Sequence, residues 1–364
     1  MDVRVYVNKS DTNDTSDTND TSETSDTNDT SETNNTIKEL LTLLENKQFT
    51  IVPARDHGLS DILAVHCPEY VQFLYKTCHD NIGQVGKIAC YPHIRLLRHF
   101  MSYDRIMINS DVAIPNHDIR ALAGYYFFDG ITQLDQEAFV KAYWSVQIAI
   151  SCAKDLVNSQ SRVVFGVTET VGHFAGYNLS GGNCLFNHSA ICAQYLCRVS
   201  REYLDKIAIL DLSYDHASGT QSLFNAQSNP LVISIHGENG YPFYTSNTTE
   251  RVWGLGPIYT TNIVLPDYSA IGTFLSAIDK ALKEIRDQDV KFLIISLDLN
   301  LLSDSPNGKF VLTSSDFGVI GIKIAEAIYQ SETSIIILTE GIPEGVAAAP
   351  QALLQFLEPF ASFH

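Results

Sequence analysis

Positive charge is scarce in this sequence: 24 Lys and Arg stand against 42 Asp and Glu, a formal net charge of −18. An excess of that sign disfavours broad electrostatic binding to nucleic-acid phosphate or anionic lipid, so neither is an expected partner. No apolar run approaches the roughly 20 residues that span a bilayer, and the start, MDVRVYVNKS, has no signal-peptide core. The sequons at Asn13, Asn178 and Asn247 therefore carry little meaning. No C-x-x-C pair occurs among the seven cysteines (Cys67, Cys78, Cys90, Cys152, Cys184, Cys192, Cys197). Most sit inside apolar patterns, as buried free thiols do, and a reducing, cytoplasmic setting is the simplest reading. Neither G-x-S-x-G nor an equivalent appears, so a Ser/His/Asp nucleophile set is not indicated.

What is present describes a globular protein: 364 residues, 45% apolar and 18% charged. That length suits one large α/β domain or two smaller ones; we read one domain, with a tract inserted near its start. Residues 10–36 hold eight acids and no Lys or Arg, in a tripeptide repeat (Asp/Glu)-Thr-(Asn/Ser) with an acid at every third position from Asp11 to Glu32. The rest of the chain is only mildly acidic. Such a repeat buries too little apolar surface to offset its ordering entropy, so disorder is expected over 10–36; a partner-binding or phosphorylated tail is the alternative. A first strand is expected within 1–9, where DVRVYV alternates, and the α/β domain over 37–364.

After the repeat, TIKELLTLLENKQ reads as a helix capped by Asn35 or Thr36, followed by a strand around FTIVPA. Residues 79–123 give no clear pattern. From Asp135 to Asn158 an amphipathic helix puts Phe139, Ala142, Val146 and Ile150 on one face, and leads into the strand RVVFGV. The second half alternates: strands at 206–211, 231–236, 291–297 and 334–339, helices near 186–201, 268–287, 315–329 and 349–358. Repeated βα units imply a mainly parallel sheet with helices on both faces.

The segment KIAILDLSYDHASGTQ, Lys206 to Gln221, opens as a buried central strand, whose carboxyl end is where such sheets carry function. It resembles the D-x-D-x-H-H-G-N-G-T-Q stretch of histone deacetylases and of their bacterial cousins, the acetylpolyamine amidohydrolases. Asp211, His216, Gly219, Thr220 and Gln221 agree with that pattern. ARDHGLSDILAVHCPEYVQFL and GYYFFDG resemble the polyamine branch as well. The resemblance implies the arginase/deacetylase fold in a single domain, with the active site in loops after the strands.

It also implies a zinc site, and this sequence departs from the pattern there. The ligand Asp falls on Ser213 and the ligand His on Asp215. The third ligand, in S-L-G-x-D-T-x-x-x-D-P, falls on Asn300 within Ser296-Leu297-Asp298-Leu299-Asn300. In R-P-P-G-H-H-A-G the tandem histidines are the acid/base pair; the first is kept as His173, and the second, the base, is Phe174. The oxyanion-donating Tyr of E-G-G-Y is Pro343, which has no donor. Zinc is expected to be absent, since an all-oxygen set with one carboxylate suits it poorly. His216 could replace the lost ligand only through a backbone shift; weak binding of a hard cation by the oxygen set is the other exception.

His173 and Asp211 are expected to keep the family's hydrogen bond, as a tuned pair or as a satisfied buried contact. Asp211 and Ser234 match the family's monovalent-cation site, compatible with potassium or with ordinary hydrogen bonding. Asn183 replaces an aromatic wall of the acyl tunnel, whereas Tyr241-Pro242-Phe243-Tyr244 keeps an aromatic cluster. The repeat stands where the family has a loop for dimerisation and for the site mouth. The reading is a pseudoenzyme that binds an acetylated amine or a protein ligand in a residual cleft, or that partners itself or an active relative. An active amidohydrolase with a reorganised site or another metal is the alternative; its chemistry would come from acids near the mouth, Glu169, Asp215, Asp298, Asp304 and Glu340.

Overall fold

The structure is a computed structural model that describes residues 3–11, 29–81, 88–89, 119–135, 137–158, 161–203, 206–225, 229–243, 260–343 and 345–362. Eight strands form one sheet: β1 (Arg4–Val7), β2 (Thr50–Pro53), β3 (Val163–Gly166), β4 (Ile207–Leu212), β5 (Leu231–Gly237), β6 (Thr260–Leu265), β7 (Phe292–Leu297) and β8 (Ser334–Thr339). Their order is β2-β1-β3-β8-β7-β4-β5-β6, and every pairing is parallel. The expected α/β class with a mainly parallel central sheet is therefore observed. Ile88–Ala89 and Gln133–Leu134 make a separate short ladder.

Alternation along the central strands feeds two cores. Ala208, Leu210 and Leu212 of β4 face one, with Leu293 and Ile295 of β7 and Ile335 and Ile337 of β8. Ile207 and Ile209 face the other, with Ile294, Ile336 and Leu338. A strand covered on both faces needs an apolar residue at every position, which is why these segments read as unbroken runs. The main helices are α1 (Asp29–Asn46), α2 (Pro68–Lys76), α3 (Ala138–Asn158), α4 (His188–Val199), α5 (Ser218–Phe224), α6 (Ile271–Asp287), α7 (Ser314–Tyr329) and α8 (Ala349–Ser362); Ser60–Leu63 and Ile119–Tyr126 are helical as well. Residues of α1, α6, α7 and α8 fill the first core, and those of α2, α3 and α4 the second. A Thr313/Asp316 capping box starts α7.

One local expectation needs correction, and two elements were not expected. Helix α1 begins at Asp29, inside the repeat, and not at Asn35 or Thr36. Ile37, Leu40, Leu41 and Leu44 dock on the core, and a helix anchored there propagates back into sequence that would not form one alone. The rest of the repeat, 12–28, lies outside the described residues. Strand β6 escaped the sequence reading because it is an edge strand, half-buried, with polar Thr260, Thr261 and Asn262 at its start. Helix α5, seven residues long, is too short to show a period.

Buried His66 joins the two glycine-rich loops beside the site. Its Nδ1–H donates to the Gly176 carbonyl at 2.8 Å, and its Nε2 accepts from the Asn187 N–H at 3.0 Å. Burial pushes its pKa down to about 4, against a smaller pull from the Gly176 carbonyl. Unfolded, His66 titrates near 6.5, so between those values the unfolded chain binds the extra proton and stability rises with pH. Lowering the pH from 7 to 4 should cost about 3 kcal/mol through this group alone. Urea midpoints across that range check it, and His66→Gln should flatten the slope.

Candidate functional site

The carboxyl ends of β4, β7 and β8 and the loop after β3 surround a cleft of about 590 Å³. It is lined by His173, Phe174, Asp215, Asp298, Asn300, Glu340 and Pro343, among others. The sheet sets this up: Asp211, near the end of β4, pairs in register with Ser234 of β5 on one side and with Ser296 of β7 on the other. Tight backbone packing seats the loop. A Cβ on Gly219 would fall 2.3 Å from the Phe174 carbonyl carbon, so α5 reaches the loop only because residue 219 is glycine.

Glu340, directly after β8, is the hub. Its Oε2 accepts from the N–H groups of Gly172 (2.6 Å) and His173 (3.2 Å), and its Oε1 from the Ser296 hydroxyl (2.5 Å). His188 Nε2 stands 3.2 Å from Oε1, both side chains being fully buried. Burial alone would raise the Glu340 carboxyl; His188, His173 and Ser296 outweigh it and hold the group down at about 2. It is an anion with its partners in place.

His173 Nδ1 lies 3.3 Å from Asp211 Oδ2, as the sequence led us to expect. Burial opposes its charge, yet Asp211, Glu340 and Asp298 raise it to about 10, so it is an imidazolium at neutral pH. Phe174 follows, its ring 4.2 Å from that of His173 and edge-on to Tyr241 at 4.9 Å. The Tyr241 hydroxyl donates to Asp129 at 2.6 Å. Asn183 lines the cleft, its N–H donating to the Thr132 hydroxyl, and Tyr241 and Phe243 form the aromatic side; Tyr244 lies outside the described residues.

Two of the three positions assigned to zinc bond directly to Asp298, and the third, Asp215, reaches it through Ser213. The Ser213 hydroxyl donates to Asp298 Oδ2 at 2.6 Å, and the Asn300 N–H to its Oδ1 at 2.9 Å. Ser213 Oγ in turn accepts from the Asp215 N–H at 3.0 Å, and Asn300 Oδ1 from the Ser305 hydroxyl at 2.7 Å. Asp215 Oδ1 accepts from the Tyr241 N–H at 2.7 Å. Burial and the neighbouring carboxylates push Asp215 up to about 7, and burial pushes Asp298 up to about 6. Among the described residues no group of three or more His, Cys, Asp or Glu could hold a metal ion. His216 takes no part in the cleft: its Nε2 is on Gln221 at 2.9 Å, and its ring lies 4.6 Å from that of His236. Asp304, expected near the mouth, lies outside the lining and accepts from the Ala348 N–H.

The role of Asp298 was the main omission of the sequence reading, which counted it only as an acid near the mouth. The signal was available, since the residue stands at the glycine of S-L-G-x-D. Behind the cleft, Asp211 Oδ1 is buried without a hydrogen-bond partner among the described residues, and Ser234 Oγ is 2.9 Å from His236 Nδ1.

The parallel α/β sheet thus carries at its carboxyl edge a cleft of acids, aromatics and a buried His-Asp pair. Comparison with known proteins identifies the scaffold. The histone deacetylase domain matches residues 27–342. An acetylpolyamine amidohydrolase of Burkholderia pseudomallei is 30% identical over 277 residues, 75% of this chain and 76% of the relative. Acetylpolyamine amidohydrolase 2 of Pseudomonas aeruginosa is 29% identical over 293 residues, 79% and 78% of the two chains. The crystal structure of acetylpolyamine aminohydrolase from Burkholderia pseudomallei superposes with a TM-score of 0.79, 23% identity and 99% of both chains covered, which establishes the arginase/deacetylase fold. The chain belongs to the histone deacetylase family, with acetylpolyamine amidohydrolases among its relatives.

Proposed function

We propose that this chain is a non-hydrolytic member of the family, which uses the cleft to bind a ligand without zinc chemistry. One observation carries the reading: Ser213, at a zinc-ligand position, donates its hydroxyl hydrogen to Asp298 at 2.6 Å and is held in an internal hydrogen bond. The donor set does not fit zinc. Of Ser213, Asp215 and Asn300 only Asp215 is a carboxylate, and the Asn300 carbonyl oxygen already accepts from Ser305. Phe174 cannot take a proton, and Pro343 offers no donor for an oxyanion.

Two further expectations belong to this reading. A potassium ion at Asp211 and Ser234 would satisfy the unpartnered Asp211 Oδ1. The described cysteines are unpaired, which suits a cytoplasmic protein, and among the described residues no helix is long and apolar enough to cross a membrane. Pairing with a second copy or with an active relative is compatible with this role.

The second reading is an amidohydrolase with a reorganised site. It is favoured by Asp215 and Asp298, whose pKa values, raised to about 7 and about 6, bring them near the range for acid/base work. One assay separates the two. Purified protein, with and without added zinc, is incubated with an N-acetylated diamine and an acetyl-lysine peptide. The non-hydrolytic reading expects no amine release above the protein-free rate. Zinc-independent release abolished by Asp215→Asn would establish the second reading.

A further inference from the structure

The segment Arg55-Asp56-His57-Gly58, just after β2, takes no part in the cleft lining and is strapped onto α3. The Arg55 N–H donates to the Ser151 hydroxyl at 3.1 Å and the His57 N–H to Gln147 Oε1 at 2.7 Å, while the Tyr143 hydroxyl and the Gly58 N–H both bond Asp56. Gly58, at φ of 76°, permits the turn. The strap lays the His57 ring on the helix, with Nε2 3.0 Å from Ser151 Oγ and Nδ1 2.9 Å from Lys154 Nζ. An ammonium only donates, so Nδ1 accepts, Nε2 carries the hydrogen, and His57 is neutral.

Three cations meet here against two acids. Arg198 is paired with Asp61 at 2.5 Å, and its charge lies 5.4 Å from the Tyr195 ring, which Lys154 also faces at 5.9 Å. Asp56 is held by Tyr143 and Gly58. Among the described residues no carboxylate pairs with half-buried Lys154, and the guanidinium of exposed Arg55 has no partner. Burial and the Lys154 charge lower the His57 pKa; Asp61 and Asp56 oppose them, and Arg55 adds to the lowering. A half-buried ammonium set against a neutral ring lacks the anion that would offset its desolvation.

We propose that Arg55, His57 and Lys154 form a binding site, separate from the cleft, for a tetrahedral oxyanion of the phosphate or sulfate type. Guanidinium and ammonium groups are common donors to such anions, the first as a fork and the second as a point charge. When Lys154 turns to the anion, Nδ1 loses its donor and takes up a proton, which adds a third cationic donor. Binding is thereby coupled to protonation of His57 and tightens as the pH falls. The site stands whether or not the cleft hydrolyses anything.

Proton NMR of the full chain tests this on the His57 ring, assigned by the resonance that His57→Gln removes. The titrants are sulfate, inorganic phosphate and phenyl phosphate, with chloride at matched ionic strength as the control. All three oxyanions should give a saturable shift, and sulfate, whose charge is constant in this range, should bind more tightly at about pH 6 than at about pH 8. Lys154→Met and Arg55→Gln should each lose about tenfold or more in affinity, as expected for a charge-assisted contact. Lys280→Gln, on the exposed face of α6, should change nothing. Arg55→Gln keeps the backbone bond to Ser151, so it reads the site even where Lys154→Met unsettles the strap. Tighter binding of phenyl phosphate than of phosphate would make a phosphorylated molecule the occupant; the reverse would make it the free ion. A shift no larger than that from chloride, one that survives both substitutions, or a sulfate affinity that does not rise as the pH falls would overturn the proposal.

Discussion

Glu340→Ala is expected to destabilise the protein by roughly 3–5 kcal/mol, the range for removing one member of a buried ionic network. Glu340 accepts from Gly172, His173 and Ser296 and stands beside His188. Alanine would strand two backbone N–H groups and a hydroxyl in a fully buried place and leave His188 beside no anion. Against a typical total of about 5–15 kcal/mol, that loss would unfold much of the population near 37 °C. Glu340→Gln keeps the shape and an acceptor, and should lose clearly less. Exposed Glu332, which pairs with Lys291 on the surface, serves as a control: Glu332→Ala should leave the midpoint nearly unchanged. Urea denaturation of the three variants, with the m-value held as a check on two-state behaviour, measures the order.

The second large effect is a gain. Ser213→Asp, Asp215→His and Asn300→Asp together supply one imidazole and two carboxylates, a set that zinc accepts. We expect this triple variant to gain little alone, because Asp298 would face a new carboxylate at 213 across the present 2.6 Å contact. Adding Asp298→Gly removes that repulsion and should tighten zinc binding by about three orders of magnitude or more over the unmodified chain. The quadruple variant should still fail to hydrolyse an acetylated amine, since Phe174 and Pro343 leave it without a base or an oxyanion donor. Zinc without turnover would separate the loss of metal from the loss of catalysis. A triple variant that already binds zinc as tightly as the quadruple one would show that Asp298 does not close the site.

Most of the scaffold was legible because buried parallel strands write themselves as unbroken apolar runs, and because α6 and α3 show helical spacing over several turns. Strand β6 and helix α5 were not, since an edge strand with Thr260, Thr261 and Asn262 and a seven-residue helix carry too little pattern. The start of α1 lay beyond local reasoning: its N-terminal turns depend on the docking of Leu40 and Leu44 further along. At the site, motif spacing located His173, Asp211, Asp215 and Asn300. It could not say what holds them. That the Ser213 hydroxyl donates to Asp298, and that Glu340 gathers donors from two chain segments, are facts of distance between residues remote in sequence.

The central claim is that the chain folds as a deacetylase and binds no catalytic zinc. The most direct test is the zinc content of the unmodified protein, purified without chelator, dialysed against micromolar zinc and measured by elemental analysis. We expect folded protein with far less than one zinc per chain. One zinc per chain, retained through dialysis together with hydroxamate-sensitive release of amine, would contradict the account and place the ligands elsewhere than at Ser213, Asp215 and Asn300.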